Sequence, residues 1–135
     1  FEYYLDEKLV GIALGDHTSN TFSAIYTFYD ISDSKLSLGT FSILKQLEFC
    51  RQRGVKFFYL GYYIGENHSL KYKGDFRPNE IYIDQSWRPF RNAAGEYLIP
   101  QNNLLWRNTD FLVKAKGDQS EEKVDVSKAK ENLFF

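Results

Sequence analysis

The 135-residue sequence has one cysteine, two histidines, three prolines and no methionine. A single thiol excludes an intrachain disulfide and any metal cluster built from this chain's own cysteines. An intracellular, cytoplasmic setting is the modest inference. His17 and His68 fall in turn or loop sequence with no Cys, Glu or second His at ligand spacing, so neither a metal nor a cofactor is expected. No apolar run approaches the roughly 20 residues that a membrane-spanning helix needs, and nothing at the N-terminus resembles a signal peptide, so no membrane partner is expected. An excess of positive charge is missing too. Seventeen basic and eighteen acidic residues leave a net charge of -1, which argues against a protein that coats nucleic acid without specificity. Any nucleic-acid contact must be local. The chain lacks an initiator Met and begins almost at once in strand-like sequence, so it is expected to be a fragment of a longer polypeptide.

What the chain does have is aromatic residues, at 18%, including ten tyrosines that combine core volume with polar tips. Its length suits one domain with one core. A folded unit is expected over residues 1–115, followed by a charged, partly mobile tail over 116–135, where composition turns small and polar. Leu9 to Leu14 reads as a short strand, and Gly15-Asp16-His17-Thr18-Ser19-Asn20 as the turn of a hairpin. Asn67 to Lys73 reads as a short helical turn and Glu80 to Ile83 as a strand. Trp87 to Phe90 and Tyr97 to Ile99 read as paired strands joined by Asn92-Ala93-Ala94-Gly95. There is no internal repeat.

The most informative stretch runs from Phe22 to Ile64. Phe22 to Asp30 has the apolar and aromatic character of a strand, Ser37-Leu38-Gly39-Thr40 opens a helix closing near Gly54, and Phe57 to Ile64 is the next strand. In the helix, Ile43, Leu47 and Cys50 mark an apolar stripe with Leu44 beside it, and Lys45, Gln46 and Arg53 are expected largely outward. Ser37 suits the N-cap, Arg51 and Arg53 the last turn, and Gly54 the position past the cap. A whole helix between two strands makes them parallel, so both carboxyl ends face one way, toward the usual ligand crevice of such sheets. The expected fold is α/β in a mixed (α+β) sheet built on this parallel strand-helix-strand unit.

Candidate chemistry gathers at that end. Ser37, Leu38, Gly39 and Thr40 open a helix whose free N–H groups suit an anion, although a purely structural cap fits them as well. Gly61, inside an aromatic strand, marks either a bulge or a close ligand. Tyr62 and Tyr63 follow it. Lys71-Tyr72-Lys73 and Arg77 offer cations for phosphate or carboxylate, or else a solvated basic face. Asp30 ends the long strand, where a carboxylate acts as base or orienting group, or simply caps the next turn. Cys50, on the apolar stripe, reads as inert core, and His68 is a minor acid/base candidate.

Taken together, Phe28-Tyr29-Asp30, Lys35 through Leu44, Tyr59 through Ile64, Lys71-Tyr72-Lys73 and Phe76-Arg77-Pro78 resemble the C-terminal domain of the aminoacyl-tRNA protein transferases. That family includes arginyltransferases and bacterial aspartate/glutamate leucyltransferases. The resemblance runs from about Leu9 to Trp87, and Phe76-Arg77-Pro78-Asn79-Glu80 looks more like the bacterial branch. Leu70 stands where the family usually has Met, and the family's Cys-rich N-terminal region is not in this sequence. The resemblance implies a GNAT-like fold, here an incomplete one, and transfer of leucine or arginine from its tRNA to an N-terminal Asp or Glu, tagging the protein for degradation. It assigns the Ser37 to Thr40 backbone to the tRNA 3′ end or the ester oxyanion. Tyr62 and Tyr63 go to adenine stacking or proton relay, Lys71, Lys73 and Arg77 to tRNA phosphate or the acceptor carboxylate, and Asp30 to orienting or receiving the amine. Two lysines flanking a tyrosine favour tRNA for Lys71 and Lys73, and the guanidinium fork favours the acceptor for Arg77. Tyr72, between the lysines, joins the substrate-binding set with Gly61. Two other classes fit the sequence: an acyl-CoA-dependent N-acyltransferase, although its Gln/Arg-x-x-Gly-x-Gly/Ala pattern is missing, and a non-catalytic domain binding RNA or a protein N-terminus.

Overall fold

The computed structural model describes residues 1–99 and the backbone of 110–114, the side chains of 33–35 excepted. The strands are β1 (Glu2–Leu5), β2 (Lys8–His17), β3 (Thr21–Tyr29), β4 (Phe57–Tyr62), β5 (Asn79–Ile83), β6 (Ser86–Pro89) and β7 (Asp110–Lys114); the helices are α1 (Leu38–Gln52) and α2 (His68–Lys71). Short 3-10 segments occupy Ile31–Leu36 and Tyr72–Asp75. The strands form one mixed sheet in the order β1-β2-β3-β4-β7-β5-β6. Every neighbouring pair is antiparallel except β3 and β4, which are parallel and joined by α1, as the sequence predicts. The expected tail over 116–135 lies outside the described residues.

Helix α1 ends as its sequence dictates. Gly54 takes φ +65°, its N–H donates to the Arg51 carbonyl (3.3 Å), and the Val55 N–H donates to Cys50 (2.9 Å). This is the paired-bond arrangement that a left-handed residue past the cap permits. The helix covers one face of the sheet. Phe22, Ile43, Cys50, Val55, Phe58, Leu60 and Ile81 belong to the main core, and Tyr3, Ala13, Leu38 and Phe41 to a second cluster near the start of α1. Rings bind the first cluster: Phe22 stacks on Phe58 at 5.4 Å and meets Phe1 and Phe49 edge-on. Burial pushes the Cys50 thiol up to about 12, so it stays protonated and inert.

Five details differ from the sequence reading. Gln46 is fully buried, because it lies three residues after Ile43 and four before Cys50, on the same face of the helix. Leu44, by contrast, is largely exposed. Ser37 has a left-handed backbone (φ 46°, ψ 43°) and makes no side-chain cap; it closes the preceding 3-10 segment instead. Gly15, Asp16 and His17 continue β2, and the turn contracts to Thr18-Ser19-Asn20. Finally, the Tyr97 to Ile99 strand reduces to one bridge, Arg91 with Tyr97. The reason is that Ser86–Pro89 pairs with β5 through a tight turn at Asp84 and Gln85, both at positive φ. The loop at Asn92 to Gly95 forms as read, with the Asn92 N–H donating to the Glu96 carbonyl (3.0 Å).

Candidate functional site

The parallel pair that defines the fold is short. Only Thr21, Phe22 and Ser23 pair with Phe57, Phe58 and Tyr59, yet β3 continues to Tyr29 and β4 to Tyr62. Beyond this point the strands part. A bulge accompanies the split: Leu14 pairs with Tyr26 and Gly15 with Ala24, which leaves Ile25 as an extra residue in β3. Bulges bend and twist the strand that carries them. The result is a wedge-shaped cleft of about 1150 Å³, walled by β3 and by the end of β4 and floored by α1. Its size suits a ligand larger than a single amino acid.

The start of α1 lies at one end of this cleft. Leu38, Gly39 and Thr40 form its first turn, whose N–H groups have no partner carbonyl within the helix and no side-chain cap from Ser37. Gly39 leaves that backbone open. A Cβ there would stand 3.5 Å from the Tyr72 hydroxyl and 3.9 Å from that of Tyr29, so two phenols meet above the helix start. Burial, followed by the neighbouring Tyr29, raises the Tyr72 pKa above the ordinary tyrosine value. Tyr72 therefore remains an O–H donor at neutral pH. Helix N–H groups and two hydroxyls converging on one point form a site for an anion or a polarised oxygen.

Across the wedge, Lys73 reaches back to the end of β4. Its ammonium donates to the carbonyls of Leu60 (2.8 Å) and Tyr62 (3.2 Å), at the stretch where β4 has parted from β3. Burial lowers its pKa from the ordinary lysine value. Gly61, between those carbonyls, has φ +72° and sits at a register shift between β4 and β7, the bulge alternative of the sequence reading. Lys73 thus closes off backbone that the splayed sheet leaves without a neighbour.

Asp30 stands at the rim as the cap of the 3-10 segment. It accepts from the Ser32 N–H (2.9 Å) and hydroxyl, and from the Lys8 ammonium (3.0 Å). Those bonds, led by the two from Ser32, hold its carboxyl well below the usual carboxylate range. A carboxylate that acidic orients a cation better than it removes a proton.

The structure brings Asp30, Ser37, Leu38, Gly39, Thr40, Gly61, Tyr62, Tyr72 and Lys73 to the cleft, with His68 beside them. It does not bring Tyr63, Lys71 or Arg77 to the lining. Tyr63 turns into the core against Phe90 (4.8 Å between ring centres), and burial raises its pKa. Consecutive side chains leave an extended chain in opposite directions, so Tyr62 and Tyr63 cannot share one wall. Lys71 is exposed on α2. Arg77 donates to the Ala93 carbonyl (3.1 Å) and packs over Gly95. Among the cleft residues that the sequence reading does not single out are Tyr29, which precedes Asp30, Thr27 on the same strand, and Gln46 on α1. The helical spacing from Ile43 and Cys50 was the available signal for Gln46.

Among the described residues there is no group of His, Cys, Asp and Glu able to hold a metal ion, and no helix long and apolar enough to cross a membrane.

Comparison with known proteins gives this geometry a relationship. Residues 1–83 match the family described as arginine-tRNA-protein transferase, C terminus. An aspartate/glutamate leucyltransferase of Vibrio cholerae is 46% identical over 85 residues, covering 63% of this chain and 36% of that protein. One from Hahella chejuensis is 41% identical over 86 residues, covering 64% of the chain and 37% of the relative. The enzyme so named from Acinetobacter baumannii is 34% identical over 106 residues, covering 77% and 39%. The chain spans a little over a third of the length of the curated relatives it matches. The matched residues include both walls of the cleft and the start of α1, and on that basis the chain belongs to the arginine-tRNA-protein transferase family, of which it carries C-terminal sequence.

Proposed function

We propose that the cleft between β3 and β4 receives the aminoacylated 3′ end of a tRNA, and that the complete protein transfers the amino acid to the N-terminal Asp or Glu of a protein. The observation that carries this reading is the meeting of the α1 N-terminus with the Tyr29 and Tyr72 hydroxyls at one end of a cleft opened by the parting of two parallel strands. The names of the matched relatives favour leucine as the amino acid. A GNAT-like architecture and a cytoplasmic role in marking proteins for degradation belong to the same proposal.

In this reading the free N–H groups of Leu38, Gly39 and Thr40 bind the terminal phosphate, with Tyr29 and Tyr72 donating to phosphate or ribose. The ester then lies further along the wedge, where β3 has lost β4 as a neighbour and its backbone N–H groups can meet a developing oxyanion. The attacking amine needs little help, since a free α-amine with a pKa of about 7.7–8.0 is partly deprotonated at neutral pH. Its nitrogen bonds to the ester carbonyl carbon, the ribose oxygen leaves, and the proton lost by the amine goes to that oxygen or to water. Asp30 keeps its charge and orients the amine. Tyr62, half exposed at the end of β4, offers a face for a base. The exposed Lys71 on α2 supplies a phosphate contact outside the cleft.

Removing the hydroxyls tests this directly. In the complete protein, Tyr72→Phe and Tyr29→Phe should each weaken binding of a 3′-aminoacyl-adenosine 5′-phosphate about 10- to 100-fold, the worth of one hydrogen bond to a charged group. The double variant should lose more than either. Unchanged affinity in a folded double variant would remove the phosphate from this end of the cleft.

A further inference from the structure

The bottom of the cleft holds a polar cluster that the reading above does not use. Gln46 is fully buried on α1, and its Nε2 donates to the Ser42 hydroxyl (2.8 Å). Ser42 in turn shares hydrogen bonds with the Tyr3 hydroxyl (2.9 Å) and with Thr27 Oγ1 (3.3 Å). The Tyr3 oxygen is itself stabilised by Ser42 and Gln46, although burial dominates and raises its pKa. The amide nitrogen of Gln46 is therefore turned toward two hydroxyls. Its Oε1 has no hydrogen-bond partner among the described residues. A buried, unpaired amide oxygen is unfavourable in a folded protein, and such an atom on a residue that lines a cleft is a place where a ligand's donor is expected.

The surroundings narrow the donor. Gln46 lines the cleft together with Thr27, Ile43, Leu60, Ala24 and Ile25, so one oxygen acceptor and one hydroxyl sit among apolar side chains. A small apolar amino acid carrying a free amine matches this: its N–H groups meet Gln46 Oε1 and Thr27 Oγ1, and its side chain meets Ile43 and Leu60. An arginyl side chain does not match. Among the described residues of the lining Asp30 is the only carboxylate, and the reading above already assigns it to the acceptor's amine. The spacing also agrees, because seven residues of helix separate Gly39 from Gln46, roughly 10 Å along the axis. That is about the reach from the terminal phosphate of an aminoacylated nucleotide to its α-amine.

Resting on the assignment of the cleft to aminoacyl-tRNA, we infer that Gln46 Oε1, supported by Ser42, Thr27 and Tyr3, is the binding group for the free α-amine of the donor amino acid. The site is thus selective for an unacylated, apolar aminoacyl group.

The test compares leucyl-tRNA with N-acetyl-leucyl-tRNA, which keeps the side chain and ester but blocks the amine. Binding is measured with the complete protein and with its Gln46→Met and Gln46→Glu variants, each with a thermal melt. Wild type should prefer the free amine by about tenfold, the value of a buried hydrogen bond to a charged donor. Gln46→Met should lose that preference by weakening leucyl-tRNA alone, and Gln46→Glu, which retains an acceptor, should keep or raise it. A wild type that binds both donors equally overturns the inference, as does a Gln46→Met variant that keeps the full preference. If Gln46→Met does not fold, the wild-type preference together with Gln46→Glu decides the matter. Failure of wild type to bind either donor would overturn the cleft assignment itself, and this inference with it.

Discussion

Phe22→Ala should cost the protein about 3–5 kcal/mol, the range for removing a large buried aromatic from a packed core. Phe22 is buried in the main cluster and contacts the Phe1, Phe49 and Phe58 rings, so its loss leaves three aromatic neighbours facing a void. It also belongs to the three-residue stretch that holds β3 against β4, which makes it the hinge of the wedge. The neighbouring strand sharpens the argument: a Cβ on Gly15 would fall 2.2 Å from the tip of the Phe22 ring, so the sequence leaves out a side chain there to seat this one. Urea denaturation should show the midpoint falling with little change in slope. A loss under about 1 kcal/mol would mean that the site collapses around the missing ring, and that Phe22 does not pin the strands.

Gly39→Val is expected to do the opposite, sparing stability while abolishing binding. Valine is no worse than glycine inside a helix, and the space above Gly39 accepts a Cβ at ordinary contact distance from the Tyr72 hydroxyl. The two added methyl groups, however, fill the gap between the phenols and the first-turn N–H groups, where the phosphate is proposed to bind. Affinity for leucyl-tRNA in the complete protein should fall on the order of 100-fold, the scale reported by removal of preorganised donors, with the thermal midpoint nearly unchanged. Unchanged affinity in a folded variant would place the ligand elsewhere.

Much of the fold was legible because its signals are local. Apolar strand, amphipathic helix and apolar strand follow one another from Phe22 to Tyr62, and Gly54 marks the helix end by a backbone conformation that glycine adopts readily. The strand β7 was not read, and it sits between β4 and β5, which no local pattern announces. The site divided in the same way. Gly39 and the Ser37 to Thr40 turn were legible from helix-start chemistry, whereas Tyr29 gains its place only by meeting Tyr72 across a long sequence separation. Gln46 reads as outward because it is polar, although its helical position sets it between Ile43 and Cys50 on the buried face. Tyr63 shows the reverse error, since strand alternation opposes its pairing with Tyr62 on one wall. The split between β3 and β4 is accompanied by a bulge at Ile25, a residue that carries no sequence mark of irregularity.

The central claim is that the wedge between β3 and β4 holds the aminoacyl end of tRNA. It is tested most directly by amide hydrogen exchange of the complete protein with and without a non-hydrolysable 3′-leucylamido-adenosine 5′-phosphate. Binding should slow exchange at Leu38, Gly39 and Thr40 and along β3 beyond Ser23, the two places where backbone N–H groups face the cleft without a strand or helix partner. Binding of the analogue with no change in either segment, and protection confined to another face of the sheet, would contradict the account.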